Sequence, residues 1–163
     1  QILAQEVTTW SIDEMQSAAA DCEDRGQIPQ AIEMYRAALV AGGPSAGICF
    51  HLAELLYLTG DVSAARERYS MAVELDEDYV EARANLGCVL VQTGETELAL
   101  AAFQGALRSH PDYPDVHYHM ARALDDLQRV RSAEHHWHEF LRLAPDSPWA
   151  DEARQRLGLD PQF

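Results

Sequence analysis

Apolar residues recur along this chain at three- and four-residue spacing in blocks of about a dozen, the rhythm of amphipathic helices with one buried face. The stretch VEARANLGCVLVQTGETELALAAFQGALRSHPDY, residues 80–113, shows it in full. Two blocks meet there at Gly94, a residue suited to the left-handed turn that ends a helix. Sliding the chain on itself brings further segments into the same pattern with a step of 34 residues and no gap, giving 12–45, 46–79, 80–113 and 114–147. Each segment predicts a pair of helices.

Ile12, Ala46, Val80 and Pro114 take position 1 of the four segments. Position 8 is then small (Ala19, Ala53, Gly87, Ala121), position 20 is Ala31, Ala65, Ala99 and Ala133, and position 24 is aromatic (Tyr35, Tyr69, Phe103, Trp137). Positions 4, 7, 8 and 11 share a face of the first helix, and 20, 24, 27 and 28 share a face of the second. Small residues let the two backbones approach, and the aromatic fills the space beside them. Position 15 is Gly26, Gly60 and Gly94, with Gln128 the exception.

This pattern resembles that of the tetratricopeptide repeat family in its bacterial form. The third segment carries it in Leu86, Gly87, Ala99, Phe103, Ala106 and Pro111, and the fourth in Met120, Ala121, Ala133, Trp137 and Pro145. The first is the most degenerate, with Ala18 and Cys22 at positions 7 and 11. The resemblance implies an all-α fold, a right-handed α-α superhelix of four helix-turn-helix repeats. Residues 1–11 are expected to be an extension or linker, opening the first helix through a capping box of Ser11 and Glu14. A C-terminal capping helix is expected over 148–158, entered at Ser147 and Pro148 and stopped by Gly158 with Asp160 and Pro161, leaving 159–163 as a tail. Such a helix is needed to cover the apolar face of the last repeat. Phe140 is expected to pack against this helix together with Trp149.

In the family the first helices line the concave side, and helical geometry leaves positions 2, 5, 6, 9, 12 and 13 opposite the packing face. The residues expected to contact a peptide there are Phe50, Glu54, Tyr57, Glu81, Asn85, Tyr118, Arg122 and Asp125, with Phe50, Tyr57, Tyr118 and Arg122 as anchors. Repeats that resemble chaperone adaptors clamp a terminal carboxylate with Lys, Asn and Arg on this face. This chain has Gln16, Ala20, Glu54, Glu81 and Asn85 at those places, so that activity is not expected.

Charge sharpens the expectation. The 163 residues hold 27 acidic side chains against 12 basic ones, all arginine, for a net charge of -15. Phosphate-backbone binding by such a chain is disfavoured, and a partner with basic and apolar residues is the natural complement. No apolar run approaches the roughly 20 residues that span a bilayer. Cys22, Cys49 and Cys88 form no CxxC pair, arguing against a zinc knuckle or a disulfide framework and for a cytoplasmic location.

The histidine-rich stretch AEHHWHEF, residues 133–140, is the obvious place to look for chemistry. His135 and His138 stand three residues apart on one helix, yet no third ligand completes a metal set, and Ala133, Trp137 and Phe140 fall at inward positions. No phosphate loop, nucleophile elbow or cofactor motif appears. The expected function is a non-catalytic protein-binding scaffold without cofactors. Three alternatives stand beside it: the partner-sensing arm of a larger protein, since the ending resembles arms that follow a MerR-like DNA-binding domain; an element that self-associates through its end helices; and a metal-binding protein.

Overall fold

A computed structural model describes residues 10–160 and, among them, nine helices and no strands. They are α1 (Ile12–Asp24), α2 (Ile28–Gly42), α3 (Ala46–Leu58), α4 (Val62–Leu75), α5 (Val80–Gln92), α6 (Thr96–Ser109), α7 (Pro114–Asp126), α8 (Val130–Leu143) and α9 (Ala150–Arg156). The odd-numbered helices from α1 to α7 begin at position 1 of the repeat frame. Residues 1–9 of the expected N-terminal extension and 161–163 of the tail, including Pro161, lie outside the described residues.

Three helix starts are fixed by a side chain, Ser11, Ser45 or Asp61, that satisfies a backbone N–H group left over in the first turn. Ser11 Oγ accepts from Glu14 N at 3.2 Å while Glu14 Oε2 accepts from Ser11 N at 2.7 Å, a complete capping box. Asp61 Oδ1 accepts from Ala64 N at 3.2 Å to open α4. The first helices of the four repeats end on one plan. At the end of α1, Gly26 has φ 72° and the Gln27 amide reaches back to the Cys22 carbonyl at 2.8 Å. At the end of α7 the same turn is made without glycine: Gln128 adopts φ 59°, and the Arg129 amide reaches the Leu124 carbonyl at 2.9 Å. The neighbouring bonds thus impose the left-handed conformation on a residue that does not favour it.

The chain divides into two compact units, one ending at Ala82 and the other beginning at Arg83. In the first, α1 packs on α2 and α3 on α4 with Ala19, Ala31, Ala53 and Ala65 fully buried, and Tyr35 and Tyr69 buried beside them. In the second, Gly87, Ala99, Ala121 and Ala133 take the same roles around Phe103 and Trp137. Gly87 is a requirement of close approach, since a Cβ there would lie 2.4 Å from the Phe103 ring. Burying each of these aromatic rings contributes about 1.5–3 kcal/mol, which makes position 24 the centre of each helix pair.

The closing helix starts later than expected. Ser147 Oγ accepts from the Trp149 amide at 3.2 Å and the Ser147 carbonyl from Ala150 at 3.0 Å, so Ser147–Trp149 form a turn and α9 begins at Ala150 rather than at 148. It packs on α8, burying Ala150 and Ala153, and Gly158 ends it at φ 70°. Phe140 is fully buried beside Tyr118, at 5.4 Å, and Tyr118 in turn stacks on Trp149.

Candidate interaction surface

In the first unit, α3 presents Phe50, Glu54 and Tyr57, and the start of α5 adds Glu81. Phe50 is half-buried: it packs against the cluster of Cys49, Ala72 and Ala82 and lies 4.8 Å from the Tyr79 ring and 6.0 Å from that of Tyr69. His51 stacks on Tyr35 at 5.9 Å and stands 3.8 Å from Glu54. Tyr57 and Leu58 are 40% and 69% exposed, an apolar end to the strip.

Carboxylates converge on this aromatic strip and, together with burial, disfavour ionisation of its phenols. Burial, then the charge of Glu23 and the hydrogen bond the phenol donates to it, then Glu54, push the Tyr35 phenol up to about 12. Burial raises Tyr79 as well, with Glu81, Glu54 and Asp76 adding to it. Glu54 is itself raised, chiefly by burial, with His51 opposing and Glu23 reinforcing. Three carboxylates from α1, α3 and α5 therefore act on one set of rings.

In the second unit the equivalent side chains are engaged differently. Tyr118, expected as an exposed anchor, is instead buried at 4% exposure because Trp149 stacks on it at 4.5 Å and its hydroxyl donates to Glu152 of α9. Arg122 reaches the Tyr118 hydroxyl at 3.4 Å and lies 3.8 Å from Glu152. Asp125 accepts from Trp137 Nε1 at 2.9 Å and from Arg156 at 3.2 Å. These three of the residues expected to meet a peptide form the seat of α9. Asn85 is half-buried on α5. Cys88, Phe103, His119, Arg122 and Asp126 line a cavity of about 270 Å³. Burial, with Asp115 adding, raises the Cys88 thiol to about 11, which keeps it protonated and unreactive at neutral pH.

His135 and His138 are exposed, while Ala133, Trp137 and Phe140 turn inward. The histidine that makes the more consequential contact is His136. His117 Nε2 lies 2.7 Å from the Pro111 carbonyl, which can only accept, leaving His117 Nδ1 to accept from His136 Nδ1 at 2.9 Å. Burial, then His117 and His135, lower His136 to about 4. No group of three His, Cys, Asp or Glu side chains among the described residues is arranged to hold a metal ion. No helix among them is long and apolar enough to cross a membrane.

Paired helices with small-on-small packing and a regular 34-residue frame define a helical-repeat protein. Family models described as tetratricopeptide repeat match residues 23–80 and 52–114 in one form and 90–157 in another, and the chain belongs to that family. Proteins of this family are generally interaction scaffolds rather than enzymes. Among curated relatives, the Vi polysaccharide export protein VexE of Salmonella typhi is 29% identical over 123 residues, covering 73% of this chain but 18% of that protein's length. The chain thus spans under a fifth of that relative. A crystal structure of MamA matches with a TM-score of 0.82 at 20% identity, covering 91% of this chain and 83% of MamA. YrrB, described as a TPR protein with an unusual peptide-binding site, matches with a TM-score of 0.79 at 23% identity over 86% of this chain and 73% of its own. At these identities the two structures speak for the fold.

Proposed function

We propose that the chain is a non-catalytic scaffold that binds an extended or helical protein segment bearing basic and apolar side chains, and that the first unit holds the principal contact surface. The observation that carries this is the convergence of Glu23, Glu54 and Glu81 around the half-buried Phe50 and Tyr79 rings and the buried Tyr35 beneath them. Aromatic surface supplies contact area, and a surrounding ring of carboxylates attracts cationic side chains and sets their register. Tyr57 and Leu58 add an apolar end for an aliphatic anchor. Asn85 belongs to the same set of first-helix positions. Tyr118, Arg122 and Asp125 serve it indirectly in this reading, by holding α9. The four repeats keep their frame boundaries at 12, 46, 80 and 114, and the free thiols favour a reducing compartment, the cytoplasm.

Selection from a phage-displayed octapeptide library tests the proposal. Peptides with Arg or Lys beside Leu, Phe or Trp should be enriched on the wild-type chain and lost on a Glu54→Lys, Glu81→Lys variant of unchanged helicity. Absence of a basic class, or its persistence on the variant, would overturn it.

A second reading, the partner-binding arm of a longer protein, is favoured by the short share of VexE that the chain covers. The particular form with a MerR-like DNA-binding domain rests on the ending HHWHEFLRLAPDSPWADEARQRL alone and gains nothing from the matched families. A reading frame that encodes a helix-turn-helix upstream is what that form requires.

A further inference from the structure

A second groove in the first unit has the opposite electrostatic character. It lies between α2 and α4, whereas the surface proposed above is carried by α1, α3 and the start of α5. Leu39, Val40, Pro44 and Met71 line a cavity of about 400 Å³ together with Arg36 and Arg68. Val40 is 89% exposed, the most exposed large apolar side chain among the described residues. In a chain with 12 arginines against 27 carboxylates, two guanidinium groups lining one apolar groove run against the overall charge.

Neither arginine is strongly neutralised. Among the described residues Arg36 pairs with Glu33 alone, one turn away on its own helix, through side chains 45% and 72% exposed, an arrangement that contributes little and opens readily. Arg68 meets two sulfur atoms: its NH1 is 3.6 Å from Met71 Sδ, and it hydrogen-bonds to the buried Cys49 thiol. Sulfur is a weak acceptor, and a guanidinium fork bonds best to a carboxylate. Among the described residues no carboxylate pairs with Arg68.

We propose that this groove is a second docking site, and that its occupant is a protein segment carrying an aliphatic side chain flanked by carboxylates. The aliphatic group fills the space over Leu39, Val40 and Met71, and the carboxylates engage Arg36 and Arg68. The two surfaces would thus select segments of opposite charge, and one scaffold would hold two unlike partners at once. The groove's acidic occupant does not depend on the function proposed above; the pairing of two partners rests on it.

The same octapeptide library separates the two sites. The expected result is a second enriched class with Asp or Glu beside Leu, Ile, Met or Val. A synthetic peptide of that class should bind at least about tenfold more weakly to the Arg36→Glu, Arg68→Glu double variant, as reversal of paired charges requires. Val40→Glu, at a site too exposed to affect folding, should weaken the same peptide and leave any basic peptide untouched. No acidic class, or an acidic peptide indifferent to both variants, would overturn the proposal. Light scattering over a concentration series covers the remaining occupant: self-association abolished by Val40→Glu would assign the groove to a second copy of this chain and overturn the proposal equally.

Discussion

Positions 5, 9 and 12 of the repeat frame are Phe50, Glu54 and Tyr57 in the second repeat and Tyr118, Arg122 and Asp125 in the fourth. Each triad is an aromatic, a charged and a polar or aromatic residue on the outward side of a first helix, but the fates differ. Phe50 packs at the edge of a small cluster and Glu54 and Tyr57 are exposed. Tyr118, Arg122 and Asp125 are joined to α9 by a stacked ring, a phenol–carboxylate bond and two ion pairs. What a repeat position does is therefore decided by what the chain places over it. The last repeat uses its outward face to hold its own cap, and the second leaves Glu54 and Tyr57 on that face exposed.

The largest test of this contrast is a pair of truncations. Tyr118→Ala removes a buried ring that touches Trp137, Phe140 and Trp149, and should cost about 3–5 kcal/mol in urea unfolding, with Trp149 emission shifting to the red. Phe50→Ala, at the same position but half-buried, should cost about 1–2 kcal/mol. Equal costs would remove the distinction.

Position 8 offers a second comparison, because Ala53 is accommodated where Gly87 is required. Gly87→Ala drives a methyl group into Phe103 and should cost about 1–3 kcal/mol despite alanine's better helix propensity. Thermal unfolding checks it.

The units should also differ in acid. His136 titrates near 4 in the folded chain, below the usual histidine value, so the unfolded chain binds the extra proton first. Stability held above pH about 6.5 is lost as pH falls toward 4. Replacing His136 with Gln should flatten that part of the profile, measured by unfolding between pH 7 and 4. A profile unchanged by the substitution would refute the assignment.

The smallest effect concerns helix ends. Gln128→Gly should stabilise by about 1 kcal/mol by relieving a left-handed φ, and Gly60→Ala, where φ is 87°, should destabilise by a similar amount.

Much of this was legible in the residues. The 34-residue step placed the starts of α1, α3, α5 and α7, and the small and aromatic positions identified what packs inside each pair. The seat of α9 was not read, because periodicity assigns a face without saying what covers it. A signal was present: Glu152 stands 34 residues after Tyr118, so it continues the frame at position 5 of a fifth first helix, where it meets position 5 of the fourth. The His117–His136 pair joins helices 19 residues apart in sequence, a contact for which no local spacing rule exists. The groove of Arg36 and Arg68 is likewise a product of neighbouring second helices, invisible to a reading that looked for partners only on the first.

The most direct measurement is fluorescence anisotropy of one selected basic peptide against the wild-type chain, Glu54→Lys and Arg122→Glu. Binding should fall at least about tenfold with Glu54→Lys and by less than about twofold with Arg122→Glu, since the proposed partner meets Glu54 whereas Arg122 faces α9. Equal losses from both, or a loss confined to Arg122→Glu, would contradict the assignment of the binding surface to the first unit.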